Sequence, residues 1–244
     1  MRGDGRRREE TGGDGRRREA TRGLLASPFD SLRLTRLNWD MNLYALFLAA
    51  GEGRRFGGGK LLRPHRGRPL VAYALDVLAE TRARGLIAGG IAVIPDRNTA
   101  LRQLARDRGL RVANNRDPGL GMSHSLRLGL ESMDSLALDP VPDAVLVLLG
   151  DQPRVPIAAI EKVVEAWRNG AGPVVRPSYA ADGGAPGHPV ILAREAWPLV
   201  GMLTGDSGLG PLLSERPELV TTVAVEGMNP DIDTPEDLAR LDER

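Results

Sequence analysis

From residue 43 onward, the apolar positions of the chain follow two alternating patterns. Continuous apolar runs are typical of strands covered on both faces of a sheet, whereas apolar residues at intervals of three and four predict amphipathic helices. The runs predict strands at residues 43–50, 90–94, 110–113 and 144–149. The helical spacing predicts one helix that opens at Pro69 and others at residues 99–108, 123–133 and 157–167. After Gly170 the pattern is irregular, apart from a strand-like run at 219–225 and a short final helix from Pro235.

This alternation of strands and helices predicts an α/β fold, a three-layer sandwich with a mostly parallel, Rossmann-like sheet. In such sheets ligands bind beyond the carboxyl ends of the strands. The two most distinctive clusters of the chain, Gly51–Lys60 and Gly150–Pro153, follow directly after the two most apolar strands. We therefore expect both clusters to meet at one edge of the sheet.

Composition narrows the classes of function. The 244 residues, 41% of them hydrophobic, suit one large domain, and the net charge of +1 gives no electrostatic argument for binding nucleic acid. Cysteine is absent, which excludes disulfides, thiolate nucleophiles and cysteine zinc sites. The longest apolar run, at residues 43–50, is too short to span a bilayer, and no signal peptide is visible. We therefore expect a cytoplasmic protein that does not bind membranes.

The first forty residues differ from the rest of the chain. The heptapeptide Gly-Asp-Gly-Arg-Arg-Arg-Glu occurs at residues 3–9 and again at 13–19, and residues 1–40 hold ten arginines and seven acidic residues. So polar a segment cannot bury enough apolar surface to offset the entropy lost on ordering. We predict a disordered tail at 1–40 and a folded domain at 41–244, with Met41 as an alternative start of the native chain.

Residues 48–60 (LAAGEGRRFGGGK) carry the strongest chemical signal. Glycines allow backbone angles that other residues avoid, and they bring backbone N–H groups close to a ligand. A triphosphate needs such donors for geometry and fixed cations to offset its charge. The segment supplies glycines at 51, 53, 57, 58 and 59 and the cations Arg54, Arg55 and Lys60. We therefore predict a phosphate-binding loop rather than a merely solvated one.

Two familiar phosphate-binding motifs do not match this loop. A Walker A motif ends in Gly-Lys followed by Ser or Thr, but Leu61 follows Lys60. A dinucleotide fingerprint needs Gly-x-Gly-x-x-Gly, but Phe56 occupies the third glycine position. A dinucleotide-dependent oxidoreductase is therefore the weaker alternative.

Two acidic turns are candidates for a metal site. Asp151 comes just after the strand at 144–149, and Asp233 comes before a helix that Thr234 is expected to cap. Mg²⁺ prefers oxygen ligands and needs few protein carboxylates, since phosphate and water supply the rest. We predict that Asp151 and Asp233 hold Mg²⁺ against a triphosphate, with a capping role as the alternative for each.

Three polar loops supply further candidates. Ser123 or Ser125, at the start of a predicted helix, would donate a hydrogen bond to a base or phosphate, or would only cap the helix. His188 is either a ligand contact or an ordinary loop histidine, and Asp206 lies in a Gly-Asp-Ser-Gly turn that would help to hold a substrate. The three histidines show no spacing typical of a zinc site or a catalytic triad.

Taken in order, the motifs LAAGEGRRFGGGKLL, GDQP, GHP, GDSG and DIDTPEDL resemble the signature of the molybdenum cofactor cytidylyltransferases, which are MobA-like nucleotidyltransferases with a GT-A-like fold. The resemblance covers residues 43–242, and the family has no segment that corresponds to the tail. The first motif is shared across the wider superfamily, whereas the combination of the motifs is more specific. Phe56 stands where the family often has methionine.

The resemblance implies a role for individual residues. The nucleotide-binding residues would be Ala49, Ala50, Gly51, Gly53, Arg54, Arg55, Lys60 and Ser125. The catalytic residues would be Arg54, Lys60 and Asp151, and the Mg²⁺ ligands Asp151 and Asp233. The residues facing the acceptor would be His188 and Asp206.

The reaction implied by the resemblance is attack of the molybdopterin phosphate on the α-phosphorus of CTP, with release of pyrophosphate. The form LAAG, rather than LAGG, favours CTP over GTP, and a molybdenum hydroxylase would be the partner that receives the product. One alternative is a nucleotidyltransferase of the same fold that acts on another phosphorylated acceptor, such as a sugar or a cofactor precursor. Another is a non-catalytic nucleotide-binding protein that delivers the cofactor. A glycosyltransferase is disfavoured, because no Asp-x-Asp follows the strand at 144–149.

Overall fold

The computed structural model of the chain describes residues 41–51 and 53–241, and of Arg54 it describes only the backbone. The tail predicted at residues 1–40 lies outside the described residues. The strands are β1 (Leu43–Leu48), β2 (Pro64–His65), β3 (Arg68–Pro69), β4 (Gly89–Pro95), β5 (Arg111–Asn115), β6 (Ala144–Leu149), β7 (Val174–Tyr179), β8 (Ala185–Pro186), β9 (Val190–Ala193) and β10 (Val220–Val225). The helices are α1 (Leu70–Ala83), α2 (Thr99–Arg106), α3 (Met122–Ser135), α4 (Ile157–Arg168), α5 (Leu209–Glu215) and α6 (Pro235–Arg240). Within this part of the chain, no helix combines the length and the apolar character needed to cross a membrane.

A mixed sheet forms the centre of the fold, with the strand order β10-β7-β9-β6-β1-β4-β5. Strands β6, β1, β4 and β5 are mutually parallel, as the apolar runs predict. Strand β9 is antiparallel to both β6 and β7, and β10 continues the sheet in parallel with β7. Strands β6 and β7 therefore point the same way, so their carboxyl ends lie at the same edge of the sheet as that of β1.

Helical layers cover both faces of the sheet. Alternate side chains of β1 point to opposite faces, because the side-chain period of a strand is two residues. Ala45 and Phe47 pack with α1, α2 and α4, whereas Leu46 and Leu48 pack with α3, α5 and a 3₁₀ segment at Arg194–Met202. The predicted three-layer α/β sandwich is confirmed.

The second half of the chain contains elements that the irregular pattern conceals. Pro177 lies inside β7, and α5 has a glycine and a proline in its first turn, so both segments have the composition of loops. Contacts from distant segments stabilise them instead. The carbonyl oxygen of Pro177 accepts a hydrogen bond from the N–H of Gly187 at 3.0 Å, and Leu209 and Leu213 of α5 pack against the sheet.

Candidate active site

The two distinctive sequence clusters lie side by side because their strands are neighbours. Strands β1 and β6 pair in parallel with Leu48 opposite Leu149, so the loops that follow them leave the sheet at the same edge. At that edge, the Nζ atom of Lys60 lies 2.7 Å from Oδ2 of Asp151. The expected meeting of the two clusters is therefore observed.

A cleft of about 530 Å³ opens at this edge, a volume typical of small-molecule sites. Ten of the predicted site residues line it, namely Ala49, Ala50, Gly51, Gly53, Arg55, Lys60, Ser125, Asp151, Asp206 and Asp233. His188 is not part of this lining, and the side chain of Arg54 lies outside the described part of the chain. Most of the candidates drawn from distant motifs thus surround one space.

The glycine-rich loop after β1 folds back over Lys60. Gly59 precedes Lys60 with φ at 64°, in the left-handed region that residues with a Cβ rarely adopt. Gly53 approaches the same residue so closely that a Cβ there would lie 3.0 Å from Cβ of Lys60. Phe56, in the middle of the loop, is buried against Ile232 and anchors the loop to the second acidic turn. The loop therefore holds Lys60 in a defined position.

Lys60 is the electrostatic centre of the cleft. Its buried ammonium group donates hydrogen bonds to Oδ2 of Asp151 at 2.7 Å and to Oδ1 of Asp233 at 3.0 Å. Burial by itself would lower the pKa of Lys60, but the attraction of Asp151 and Asp233 outweighs burial and raises the pKa. Arg55 also contacts Asp233, at 3.0 Å, but its side chain is 79% exposed, so this pair adds little stability.

Asp151 and Asp233 also fit the requirements of a divalent cation. One oxygen of each carboxylate points at the same place, which the Lys60 ammonium group occupies. No group of three or more His, Cys, Asp or Glu side chains suited to a metal occurs among residues 41–51 and 53–241. Mg²⁺ does not need such a group, because it commonly takes one or two carboxylates together with phosphate oxygens and water. The pair therefore suits a metal that is bound jointly with a polyphosphate.

A buried amide pair connects the acidic turns to the loop before β9. Nε2 of Gln152 donates to Oδ1 of Asp231 at 2.8 Å. Nδ2 of Asn229 donates to Oε1 of Gln152 and to the main-chain oxygen of His188, both at 3.0 Å. Because both amides are buried, each of these bonds is shielded from competing water. The amide pair thus fixes the distance between the loop of His188 and the acidic turns.

Asp231 is a third carboxylate on the cleft wall. The N–H of the next residue, Ile232, donates to the main-chain oxygen of Asp151 at 3.1 Å, which ties the two acidic turns together. Burial, and then the charge of Asp151, raise the pKa of Asp231, while the bond from Gln152 opposes the shift. The sequence analysis singled out only Asp233 of this turn.

Ser125 is presented to the cleft as a hydrogen-bond donor. Nδ2 of the buried Asn115 donates to Oγ of Ser125 at 3.1 Å, and Oδ1 of Asn115 accepts from the N–H of Asp117 at 2.9 Å. Since one lone pair of the serine hydroxyl is used by Asn115, its hydrogen is free to point at a ligand in the cleft that Ser125 lines. Of the two serines left open by the sequence, Ser125 is the one on the cleft wall.

We expect Ser125→Ala to raise the KM for the nucleoside triphosphate about two- to tenfold with little change in kcat, because a neutral hydrogen bond contributes about 0.5–1.5 kcal/mol. Steady-state measurement of pyrophosphate release tests this. Ser132→Ala is the matched control, since the hydroxyl of Ser132 donates a hydrogen bond within α3, to the carbonyl oxygen of Leu128 at 2.7 Å. Equal KM values for the two variants would contradict the role.

The turn at 205–208 is attached to the start of α3. The N–H of Ser123 donates to the carbonyl oxygen of Gly205 at 3.1 Å. A Cβ at Gly121 would overlap the carbonyl group of Gly205, and Gly121 has φ at 89°, so only glycine fits at this position. This contact holds Asp206 in the lining of the cleft.

We expect Gly121→Ala to lower the free energy of unfolding by about 2 kcal/mol, because the backbone of the 205–208 turn must move and the alanine must adopt a strained φ. Turnover should fall as well, since Asp206 moves with the turn. Urea unfolding and pyrophosphate release measure the two effects. Gly210→Ala is the control, because a Cβ at Gly210 meets nothing within 4 Å. Similar stability of both variants would mean that the turn is not held in this way.

His188 is partly buried beside the cleft. Its main-chain oxygen accepts hydrogen bonds from Oη of Tyr179 at 2.6 Å and from Asn229. Burial lowers the pKa of His188 to about 4, although the nearby charge of Asp151 opposes this shift. The imidazole is therefore neutral at pH 7 and adds no charge to the site.

Sequence reasoning missed the residues that act through contacts with distant partners. Gln152 stands inside the GDQP motif that the sequence analysis quoted, so its position is marked in the sequence. Asn229 lies in Met-Asn-Pro, which resembles an ordinary turn, and no spacing connects it with Gln152. Only the fold reveals that pair.

The chain is similar in sequence and in fold to known proteins. Residues 45–220, most of the described chain, match the family described as the MobA-like NTP transferase domain. The chain is 27% identical to the protein Rv0371c of Mycobacterium tuberculosis, whose structure in complex with manganese covers 83% of this chain and 99% of that one with a TM-score of 0.66.

Curated relatives include a cytidylyltransferase and a protein of purine catabolism. The chain is 32% identical to the 2-C-methyl-D-erythritol 4-phosphate cytidylyltransferase of Streptomyces avermitilis, over 64% of this chain and 62% of that enzyme. It is 26% identical to the purine catabolism protein PucB of Bacillus subtilis, over 80% of this chain and 93% of PucB. The chain thus spans less than two thirds of the Streptomyces relative but nearly all of PucB.

Proposed function

The chain belongs to the MobA-like NTP transferase family, and we propose that it transfers a CMP group from CTP to the phosphate of molybdopterin, with release of pyrophosphate. The observation that carries the proposal is the convergence of Lys60, Asp151 and Asp233 in a cleft walled by a glycine-rich loop. Such a site combines fixed cations, backbone donors and carboxylates, which a nucleoside triphosphate and its metal require together.

The chemistry demands positioning and charge compensation. The acceptor phosphate is anionic at neutral pH, so it can attack the α-phosphorus without a general base. Two polyanions must nevertheless be brought together, and negative charge spreads over the α-phosphate and the leaving pyrophosphate. Lys60 and Arg55, on the cleft wall, would bind phosphate oxygens and offset that charge. The backbone of the glycine-rich loop would orient the triphosphate for attack.

We propose Mg²⁺ as the metal of the reaction and Asp151 and Asp233 as the residues that hold it. When bound, Mg²⁺ offsets triphosphate charge and polarises the phosphoryl oxygens. Lys60 would then exchange its carboxylate contacts for phosphate oxygens. The charge of the metal would take the place of the ammonium group between the two carboxylates. The manganese complex of the relative Rv0371c supports a divalent ion in this fold.

The nucleotide is proposed to be CTP. The small side chains of Ala49 and Ala50 lie on the cleft wall directly after β1, where a base can approach the backbone. The LAAG form of this motif favours CTP over GTP, and a cytidylyltransferase stands among the relatives. Ser125 would donate its hydrogen bond to this nucleotide.

The acceptor is the second part of the proposal. The GHP and GDSG motifs support molybdopterin, with a molybdenum hydroxylase as the protein that receives the modified cofactor in the cytoplasm. The Streptomyces relative favours a second candidate, a cytidylyltransferase that acts on a smaller phosphorylated alcohol. Both candidates carry a phosphate group that can attack the nucleoside triphosphate.

One experiment separates these functions. The full chain is incubated with Mg²⁺ and each of the four nucleoside triphosphates, first with molybdopterin and then with 2-C-methyl-D-erythritol 4-phosphate and sugar phosphates. Pyrophosphate release and the mass of the product are measured. We expect release with CTP and molybdopterin only. Release with another acceptor would refute the proposed substrate, and tight CTP binding without release for any acceptor would indicate a delivery protein.

A further inference from the structure

Arg176 is a partly buried cation that the mechanism above does not use. It lies in the middle of β7, and its Nε atom is buried without a hydrogen-bond partner in the part of the chain that the structure describes. Among residues 41–51 and 53–241, no carboxylate lies within 4 Å of its guanidinium group. Burial lowers the pKa of Arg176, which reflects the loss of water around an uncompensated charge.

A partly buried cation without a partner is stabilised when an anion joins it. Removing a charged group from water is expensive, and it is normally offset by a partner of opposite charge. Arginine is well suited to phosphate because its planar fork of N–H donors matches two phosphate oxygens. The Nε atoms of Arg102 and Arg168 also lack a partner among the described residues, but each of those guanidinium groups bonds to a main-chain oxygen through Nη2. Arg176 makes no such bond within residues 41–51 and 53–241, so its guanidinium group is available to a ligand.

The strand register places Arg176 on the acceptor side of the sheet. It lies next to Thr222 of β10, and the preceding residue, Val175, pairs with Ile191 of β9. Strand β9 begins directly after His188 and Pro189, so the strand beside Arg176 follows the loop that contains the GHP motif.

The same face of the sheet carries the other acceptor-side motif. Strand residues alternate between faces, so Arg176 shares the face of Val174. Val174 packs in one cluster with Leu203 and Leu209, which flank the segment that contains Asp206. Tyr179, at the carboxyl end of β7, donates a hydrogen bond to the main-chain oxygen of His188 at 2.6 Å, so the loop of His188 is attached to the carboxyl end of the strand that carries Arg176.

We propose that Arg176 binds the phosphate group of the acceptor, an inference that deepens the proposed function and rests on it. Arg176 would supply positive charge on this side, while Lys60 and Arg55 would supply it on the nucleotide side. The two phosphate groups that react are then held by separate cations. This separation lets each substrate bind without competing for the other's site.

The test measures phosphate binding and kinetics in variants of the full chain. Inorganic phosphate is the probe, titrated by calorimetry with and without Mg²⁺ and α,β-methylene-CTP, whose own affinity is measured first. Arg176→Met removes the charge but keeps an apolar stem, Arg176→Lys keeps the charge without the fork, and Arg106→Met, at an exposed site on α2, is the control. Thermal unfolding verifies that each variant is folded.

We expect Arg176→Met to weaken phosphate binding in the presence of the analogue about tenfold or more, because charge-assisted hydrogen bonds are lost. The phosphate affinity of Arg176→Lys should lie between that of Arg176→Met and that of the wild type. The affinity of Arg176→Met for the analogue should stay within about twofold of the wild-type value. With an active acceptor, the variant should show a higher KM for the acceptor without a matching rise in the KM for CTP.

Equal phosphate affinity in the wild type and in Arg176→Met would overturn the proposal, as would a wild type that binds no phosphate beside the nucleotide analogue. Failure of the proposed function has a different signature. A wild type that binds phosphate through Arg176 but does not release pyrophosphate with molybdopterin would refute the acceptor named above, and it would support Arg176 as the phosphate site for another acceptor.

Discussion

Replacement of Asp151 by asparagine should lower the rate of pyrophosphate release by about 10²–10³-fold, an effect of the size seen when one electrostatic contact to a transition state is removed. The variant keeps the shape of the side chain but loses the charge that pairs with Lys60 at 2.7 Å. Under the proposed function it also loses a metal ligand. Affinity for Mn²⁺, measured by electron paramagnetic resonance in the presence of CTP, should therefore fall together with the rate.

The control for this prediction is Asp107→Asn, at an exposed position after α2 where the carboxylate accepts a hydrogen bond from Gln103 at 2.7 Å. It should leave rate and Mn²⁺ affinity unchanged. Wild-type turnover in Asp151→Asn would refute the assignment of the metal site. A reduced rate with unchanged Mn²⁺ affinity would place Asp151 in charge balance with Lys60 and not in metal binding.

Lys60→Met should reduce turnover by a similar factor of about 10²–10³, because the cleft loses its buried cation. The methionine is close to lysine in length, so packing against Gly53 is kept. The affinity for CTP should fall as well, since Lys60 is expected to contact the triphosphate before and during the reaction. Single-turnover measurements with saturating CTP separate the chemical step from binding.

The same variant should change how stability responds to metal. Without Lys60, Asp151 and Asp233 face each other with no ammonium group between them, so repulsion should destabilise the protein in metal-free buffer. Added Mg²⁺ should then raise the Tm of Lys60→Met more than that of the wild type. The control is Lys162→Met on α4, whose ammonium group bonds to the carbonyl oxygen of Ala224 at 3.3 Å. An identical response to Mg²⁺ in all three proteins would contradict this account.

Much of the fold was predictable because the buried strands have a simple pattern. Strand β6 occupies the predicted residues 144–149, and α3 and α4 contain the predicted helical residues. The second half of the sheet was harder. Pro177 interrupts the pattern of β7, and Gly210 and Pro211 obscure α5, so local propensity contradicts the structure that packing stabilises.

The site was predictable where a residue follows a strand directly. Lys60 and Asp151 belong to loops that leave adjacent parallel strands, so their proximity follows from strand order alone. Arg176 lies inside a strand, where an arginine normally signals a solvated face, and no motif of the sequence analysis included it.

By itself, the amino-acid sequence determined the α/β class, the edge of the sheet at which the cleft lies, and the glycine-rich loop with its cations. It could do so because buried parallel strands require continuous apolar runs and tight loops require glycine. Only the tertiary structure decided which polar groups meet. Asn229 bonds to Gln152 across 77 residues, and Lys60 bonds to Asp233 across 173. Contacts between such distant residues depend on how the elements pack, and they leave no periodic trace in the sequence.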